Sequence, residues 1–309
     1  MIKTVSIIIP FYNEKENIPI ILNEIKQKLL NSKKYNFEII LMDNHSNDGS
    51  DNVAKNEMNK FENIKYYRLS RNFGYQSNIK AGLDKCTGDA AIQLDADGED
   101  DPKLILQFIQ QWENGYDVVY GIRKTRIENS ILSFLRNKFY SFLNKFSDIN
   151  IPKGAGDFRL IDRKVINYLK NLDEKNLYLR GLVSFIGFKQ IGVEYDRLER
   201  KSGISKISIF KYFDIAMSAI TSFTRFPLII IFFMGAFVFS SSVILSLIYL
   251  SLFLFGMIEE PGFTTIILMQ LFFFGLIMFL VGIISLYVGY ILDEVKNRPN
   301  YIIEDEKKK

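Results

Sequence analysis

Two rhythms of apolar positions alternate along the first part of this chain. Thr4 to Pro10 (TVSIIIP) is a short apolar run closed at a turn, and Phe37 to Met42 (FEIILM) is another; both read as buried strands. Ile64 to Leu69, Ala90 to Leu94 and Asp117 to Gly121 add further strands. Between them the period becomes helical. Ile18, Ile21, Leu22, Ile25 and Leu29 recur along Asn17 to Leu30, Tyr75 to Cys86 reads the same way, and Pro102 to Trp112 opens with a proline suited to a first helical turn. This alternation predicts an α/β fold with a mainly parallel sheet and helices on both faces. Ligands of such sheets bind beyond the carboxyl ends of the strands. The polar clusters Asn13-Glu14, Asp43 to Ser46 and Asp95 to Asp101 fall at those ends.

Later the pattern changes. Ile131, Leu132, Leu135, Phe139, Phe142, Leu143 and Phe146 form a wide apolar face with Arg136, Lys138 and Lys145 interspersed, as in a basic amphipathic helix near 130–147; a core-facing helix has the same pattern. A second such helix near 207–223 leads into the final third. From Pro227 to Ile258, and again from Pro261 to Leu292, there is no charged residue. About 20 apolar residues cross a bilayer, so two transmembrane helices are expected at about 227–257 and 262–291. Only Glu259 and Glu260 among charged residues join them, whereas Lys206, Lys211, Arg225, Lys296 and Arg298 flank them outside. The positive-inside rule then predicts a multi-pass plasma (inner) membrane protein with its N-terminal domain and both termini cytoplasmic. The expected division is a soluble domain over 1–225, a membrane region over 226–292 and a tail over 293–309, whose charge run Glu304 to Lys309 reads as a solvated end. No apolar signal segment precedes Lys3, and the single Cys86 allows no intrachain disulfide. A net charge of +4 suits an anionic membrane surface, and no nucleic-acid recognition motif is present.

The run QLDADGEDDP, Gln93 to Pro102, carries the most chemistry. It packs five acidic side chains into seven positions, and these repel one another unless a cation neutralises them. Asp95 and Asp97, alternate residues at a strand end, present oxygen ligands of the kind Mg2+ or Mn2+ prefers, with Glu99 and Asp100 beside them. An acidic surface turn gives the same three-residue pattern, so its place at a strand end is what raises it.

IIIPFYNEKENI, MDNHSNDGSDN, RNFGYQSNIKAG, QLDADGEDDP, YGIR and GAGDFRLIDR, in that order, resemble the motifs of inverting family-two glycosyltransferases. The nearest subgroup is the polyprenyl-phosphate glycosyltransferases, and the resemblance extends through both apolar stretches to VKNRPNY. It implies a GT-A (Rossmann-like) nucleotide-sugar domain followed by interfacial helices and two transmembrane helices. It implies a UDP-sugar donor, UDP-glucose by default, a polyprenyl (undecaprenyl) phosphate acceptor and Mg2+ or Mn2+ as cofactor. Pro10, Tyr12, Glu14 and Asp43 resemble the pocket for base and ribose. Asp95 resembles the carboxylate beside the nucleotide and Asp97 the metal ligand, with Glu99 where the family often has Gln. Asp43-Asn44-His45-Ser46 departs from the usual Asp-Asp-Gly-Ser, and His45 reads as a loop residue where Gly is usual. Arg123, Arg136, Arg200, Ser205 and Lys206 are the candidates for the lipid phosphate, the last three in a run, RLERKSGISK, that resembles the family's segment covering the active site. A homo-oligomer, dimer or tetramer, is also in keeping with the resemblance.

The resemblance places Asp157, in GDFR, where relatives carry an acidic residue assigned as base, with Arg159 to orient it. A phosphate nucleophile has a second pKa near 6 and is already largely ionised, so a positioning role is equally open to Asp157. Direct displacement inverts the anomeric centre. Two competing readings are a polysaccharide synthase of the same fold and a non-enzymatic membrane scaffold. The first is disfavoured because the one Trp, Trp112, stands in no Gln-x-x-Arg-Trp run.

Overall fold

The computed structural model describes residues 2–30, 34–124, 138–139, 141, 143–147, 152, 155–198, 219–220, 222–224, 226–255, 257 and 262–308. In chain order the elements are β1 (Thr4–Phe11), α1 (Asn17–Lys28), β2 (Asn36–Asp43), α2 (Ser50–Glu57), β3 (Ile64–Leu69), α3 (Tyr75–Lys85), β4 (Ala90–Gln93), α4 (Leu104–Glu113) and β5 (Val118–Arg123). There follow β6 (Ala155–Asp162), α5 (Arg163–Lys170), α6 (Leu179–Ile186), β7 (Gln190–Tyr195), α7 (Phe226–Leu254), α8 (Phe263–Lys296) and β8 (Ile303–Lys308).

The strands form one sheet in the order β7-β5-β6-β4-β1-β2-β3-β8. β1 pairs in parallel with β2 and β4, β2 with β3, and β5 with β7; β6 and β8 run against their neighbours. Alternate side chains of β1 feed opposite faces. Ile7 and Ile9 pack with Ile18, Leu22 and Phe108 on one side, while Ile8 packs with Ile79, Leu83 and Val165 on the other. The expected mainly parallel α/β sheet is therefore present.

β6 is what builds the site. It lies antiparallel to β4, with Ala90 against Asp162 and Gln93 against Arg159. An antiparallel strand begins where its parallel neighbours end. Continuing that register brings Asp157 alongside Asp95, so carboxylates far apart in sequence share one sheet edge.

The tail departs from expectation. Residues 303–308 are more than a loose end: β8 pairs with β3, Lys65 against Lys308 through Arg68 against Asp305, while most of its residues stay exposed. β3 would otherwise be an open edge, and its unpaired backbone groups take up the tail. Asn297, with φ 47, ends α8 in the left-handed conformation, and Pro299 follows. The returning chain is then fixed by Asn300 donating to the Glu174 carbonyl at 2.9 Å and Tyr301 donating to Asp84 at 2.9 Å.

The charge-free stretches supply α7 (Phe226–Leu254) and α8 (Phe263–Lys296). Among the described residues, Phe272–Lys296 of α8, with a mean hydropathy of 2.4, is long and apolar enough to cross a membrane, and none of its most apolar window is buried. Of the expected amphipathic helices near 130–147 and 207–223, most residues lie outside those described. Their described ends place Leu143 and Ala219 in a small buried cluster with Tyr178.

Candidate active site

The first wall is the turn after β1. Pro10 is buried at the strand end, and Tyr12 is 38 % exposed beside it. Asn13 has φ 58, a left-handed conformation that Asn tolerates. Its backbone N–H donates to Ser46 Oγ at 3.0 Å and its side chain accepts from Asn47 N at 2.9 Å. Glu14 is tied to the same loop, its N–H donating to Ser50 Oγ at 2.9 Å, and its carboxylate accepts from Asn17 at 2.5 Å.

Asp43 ends β2 wholly buried. Oδ1 accepts from the Ser46 N–H at 2.8 Å, and Oδ2 accepts from Tyr66 at 3.0 Å and Arg68 at 3.1 Å. Burial, then the Asp43 charge, pushes the Tyr66 hydroxyl up, which keeps it a donor. Asp43 thus orders the loop from beneath. His45 has φ 64, the backbone conformation that makes glycine usual there, and its ring meets the Leu69 carbonyl at 3.1 Å.

The acidic centre lies beyond β4. Asp95 Oδ1 accepts from the Tyr75 hydroxyl at 2.6 Å, and that hydroxyl accepts from Gln93 at 2.7 Å. Burial, then the charges of Asp97, Asp100 and Asp157, pushes Asp95 up to about 7. Asp97 accepts from the Glu99 N–H at 3.2 Å. Glu99 turns the other way and pairs with Arg197. Asp100 is wholly buried, accepts from Tyr195 at 2.5 Å and lies 3.7 Å from Arg123. Arg123 donates to Tyr195 at 3.2 Å; burial disfavours its charge, but Asp100, Tyr195 and Asp95 together outweigh burial and raise its pKa.

Asp157 is held by Arg180, Nε to Oδ1 at 2.7 Å and Nη2 to Oδ2 at 2.5 Å. Burial works against its charge, but Arg180, Arg159 and Arg123 together hold the carboxyl below its ordinary value. Arg159, expected to orient Asp157, stands 3.9 Å away and donates instead to the Gly156 carbonyl at 2.8 Å. Orientation passes to Arg180 because, among the described residues, its fork is the one that meets both carboxylate oxygens.

The sheet edge therefore gathers Pro10, Tyr12, Glu14, Asp43, Asp95, Asp97, Arg123, Asp157 and Arg159. Glu99 is engaged by Arg197, which leaves Asp95 and Asp97 as the candidate metal pair. Arg136, Arg200, Ser205 and Lys206 lie outside the described residues. Among the described residues no three His, Cys, Asp or Glu side chains converge as a metal cage. Mg2+ needs only one or two carboxylates when substrate phosphates complete its shell. A divalent cation at Asp95 and Asp97 would reverse the mutual push on Asp95, so this pair fits one.

Tyr75 and Arg180 contact the candidate site residues Asp95 and Asp157, and the sequence pattern misses both. Tyr75 starts an ordinary helical stretch, and Arg180 is an isolated cation in the apolar run LRGLVSFI.

Residues 6–169 match the family model for glycosyl transferase family 2. An uncharacterized glycosyltransferase of Bacillus subtilis (strain 168) is 38 % identical over 97 % of this chain and 93 % of its own length. A bactoprenol glucosyl transferase of Shigella phage SfV is 33 % identical over 99 % of both. Among solved structures, a mannosyltransferase from Pyrobaculum calidifontis is 15 % identical, covering 95 % of this chain and 86 % of that one, with a TM-score of 0.45.

Proposed function

This chain belongs to glycosyl transferase family 2, and on that premise we propose that it performs inverting transfer of a hexose from a nucleotide-sugar, UDP-glucose first, to a polyprenyl phosphate at the cytoplasmic membrane face. The observation that carries the lipid acceptor is mechanical. The domain bearing the acidic centre is joined to an apolar helix with no buried window, through Asn300, Tyr301 and β8. Such a joint keeps an active site at a bilayer surface, where a lipid phosphate is presented. The phage relative's name, bactoprenol glucosyl transferase, supports the same acceptor class and sugar. In this reading α7 and α8 both span the membrane, and the two termini are cytoplasmic.

The residues divide the work. Pro10, Tyr12 and Glu14 border the nucleotide, with Asp43 bracing the loop beneath. Asp95 and Asp97 would hold Mg2+ or Mn2+, which when bound offsets charge on the departing diphosphate. Tyr75 fixes the Asp95 carboxylate in direction. Arg123, with Arg136, Arg200, Ser205 and Lys206 as further candidates, receives the acceptor phosphate. Asp157 acts as a fixed counter-charge and positioning group. A carboxylate bound at both oxygens and held low is a poor base, and an ionised phosphate nucleophile needs none.

The test is acceptor-dependent release of nucleoside diphosphate across a panel of nucleotide-sugars. Release should require undecaprenyl phosphate and fail with undecaprenol, which lacks the nucleophile. Release independent of the lipid, or equal with the alcohol, contradicts the assignment.

A further inference from the structure

Where α8 meets the catalytic domain there is a second cavity, of about 270 Å³. Its lining includes Arg71, Lys175, Lys296 and Arg298, with Asp293 as its one carboxylate. Among the described residues none of these four cations forms an ion pair. Elsewhere on this chain cations pair readily, as Lys28 does with Asp101 at 2.9 Å. Set against Asp293 in the lining and Glu294, which accepts from the Lys175 N–H at 2.7 Å, the four cations still leave the cavity net positive, which favours an anion. Arg71 also stacks 4.0 Å over the Phe73 ring, which sets its guanidinium on the cavity wall.

The cavity differs from the acidic centre. None of Asp95, Asp97 and Asp157 lines it. Ser77 of α3 does, and it lies two residues beyond Tyr75, hence on the other side of that helix from the hydroxyl that holds Asp95. The acceptor phosphate has to reach the reacting carbon, so it is not the anion that fits here. The cavity sits instead at the end of the apolar helix, with Tyr290 and Lys296 of α8 in its wall. Basic pockets at that level of a membrane protein take lipid headgroups. Its volume falls below the roughly 300–1,000 Å³ of sites that enclose drug-sized ligands, which suits a glycerophosphate headgroup whose acyl chains stay in the bilayer.

We infer that this cavity is a binding site for the phosphate headgroup of an anionic phospholipid, separate from both donor and acceptor. The inference rests on the reading of α8 as a membrane helix. It also has a route to the active site: the Phe73 N–H donates to Asn44 Oδ1 at 3.0 Å, next to Asp43, and Asn44 donates to Asn72 at 2.9 Å. A headgroup on Arg71 would steady this loop.

Full-length protein in neutral-detergent micelles is titrated with fluorescent phosphatidylglycerol, and with phosphatidylcholine bearing the same chains and dye. Phosphatidylglycerol should bind more tightly. Lys296→Gln with Arg298→Gln should weaken it by roughly 30-fold, at about fivefold per charge, and leave phosphatidylcholine unchanged. Lys296→Arg with Arg298→Lys, which keeps both charges, should retain binding and shows that the loss is not misfolding. sn-Glycerol 3-phosphate separates the sources: equal competition from it would assign the site to a free anion and overturn the lipid assignment. No phosphatidylglycerol preference, or an unaffected Gln variant, would also overturn it. The readout needs no donor, so a chain that transfers sugar without this preference sinks the inference alone, and one with the preference but no transfer sinks the transfer reading alone.

Discussion

One guanidinium, that of Arg180, occupies both carboxylate oxygens of Asp157, at 2.7 and 2.5 Å. The pair joins α6 to the start of β6 and sets the charge that faces Asp95. Removing the closest partner of a buried carboxylate costs up to about 3–5 kcal/mol, less what Arg159 and Arg123 still supply here. Arg180→Ala should therefore lower stability by about 3 kcal/mol and transfer by about 100-fold, since a displaced group costs that much. Arg180→Lys, with charge but no fork, should fall between. Denaturation followed by fluorescence of Trp112, the one tryptophan, measures the first effect and transfer kinetics the second.

Asp97 is the carboxylate assigned most directly to the cation. Asp97→Asn should reduce transfer by about 100- to 1,000-fold, the scale of losing one charge-stabilising group. Chelation with EDTA should abolish wild-type transfer, and added Mn2+ or Mg2+ should restore it. Transfer that persists through EDTA would remove the metal from the account.

Gly82 lets α3 lie close on β1. A Cβ there would stand 2.4 Å from Ile8 Cγ2, in a packed core. Gly82→Ala should destabilise the domain by about 1–3 kcal/mol through overpacking. A thermal melt that does not move would show that the helix shifts freely.

Glu38 makes stability depend on acid. Burial pushes its carboxyl up, but Lys65, Ser6 and Thr87 bond to it and hold it below its ordinary 4.5. The stabilisation is complete above that ordinary value and is lost as pH falls through the lower folded value. Glu38→Gln should lose stability at neutral pH, and its gap from wild type should narrow below about pH 4.5. Denaturation midpoints across that range measure it.

What was legible in the sequence follows from local signals. The buried strands at Thr4 to Pro10 and Phe37 to Met42, and the polar clusters at their ends, appear where periodicity and turn residues place them. β6, β7 and β8 were not legible as sheet members. β6 takes its place only through long-range pairing with β4 and β5, and the charged run of β8 looks solvated until the free edge of β3 is known. The same limit separates the site residues. Asp95 and Asp97 announce themselves by local spacing, whereas Arg180 acts through a partner 23 residues away. Glu99 reads as a ligand in its acidic run, and its pairing with Arg197 is visible only in three dimensions.

The central claim is tested most directly by following labelled glucose from UDP-glucose into organic-extractable lipid, with undecaprenyl phosphate and Mn2+ or Mg2+ present. The account predicts label in the lipid phase for the wild-type chain, lost with EDTA and in Asp97→Ala. Folded protein that transfers no label from UDP-glucose or any other nucleotide-sugar, or equal labelling by Asp97→Ala, would contradict it.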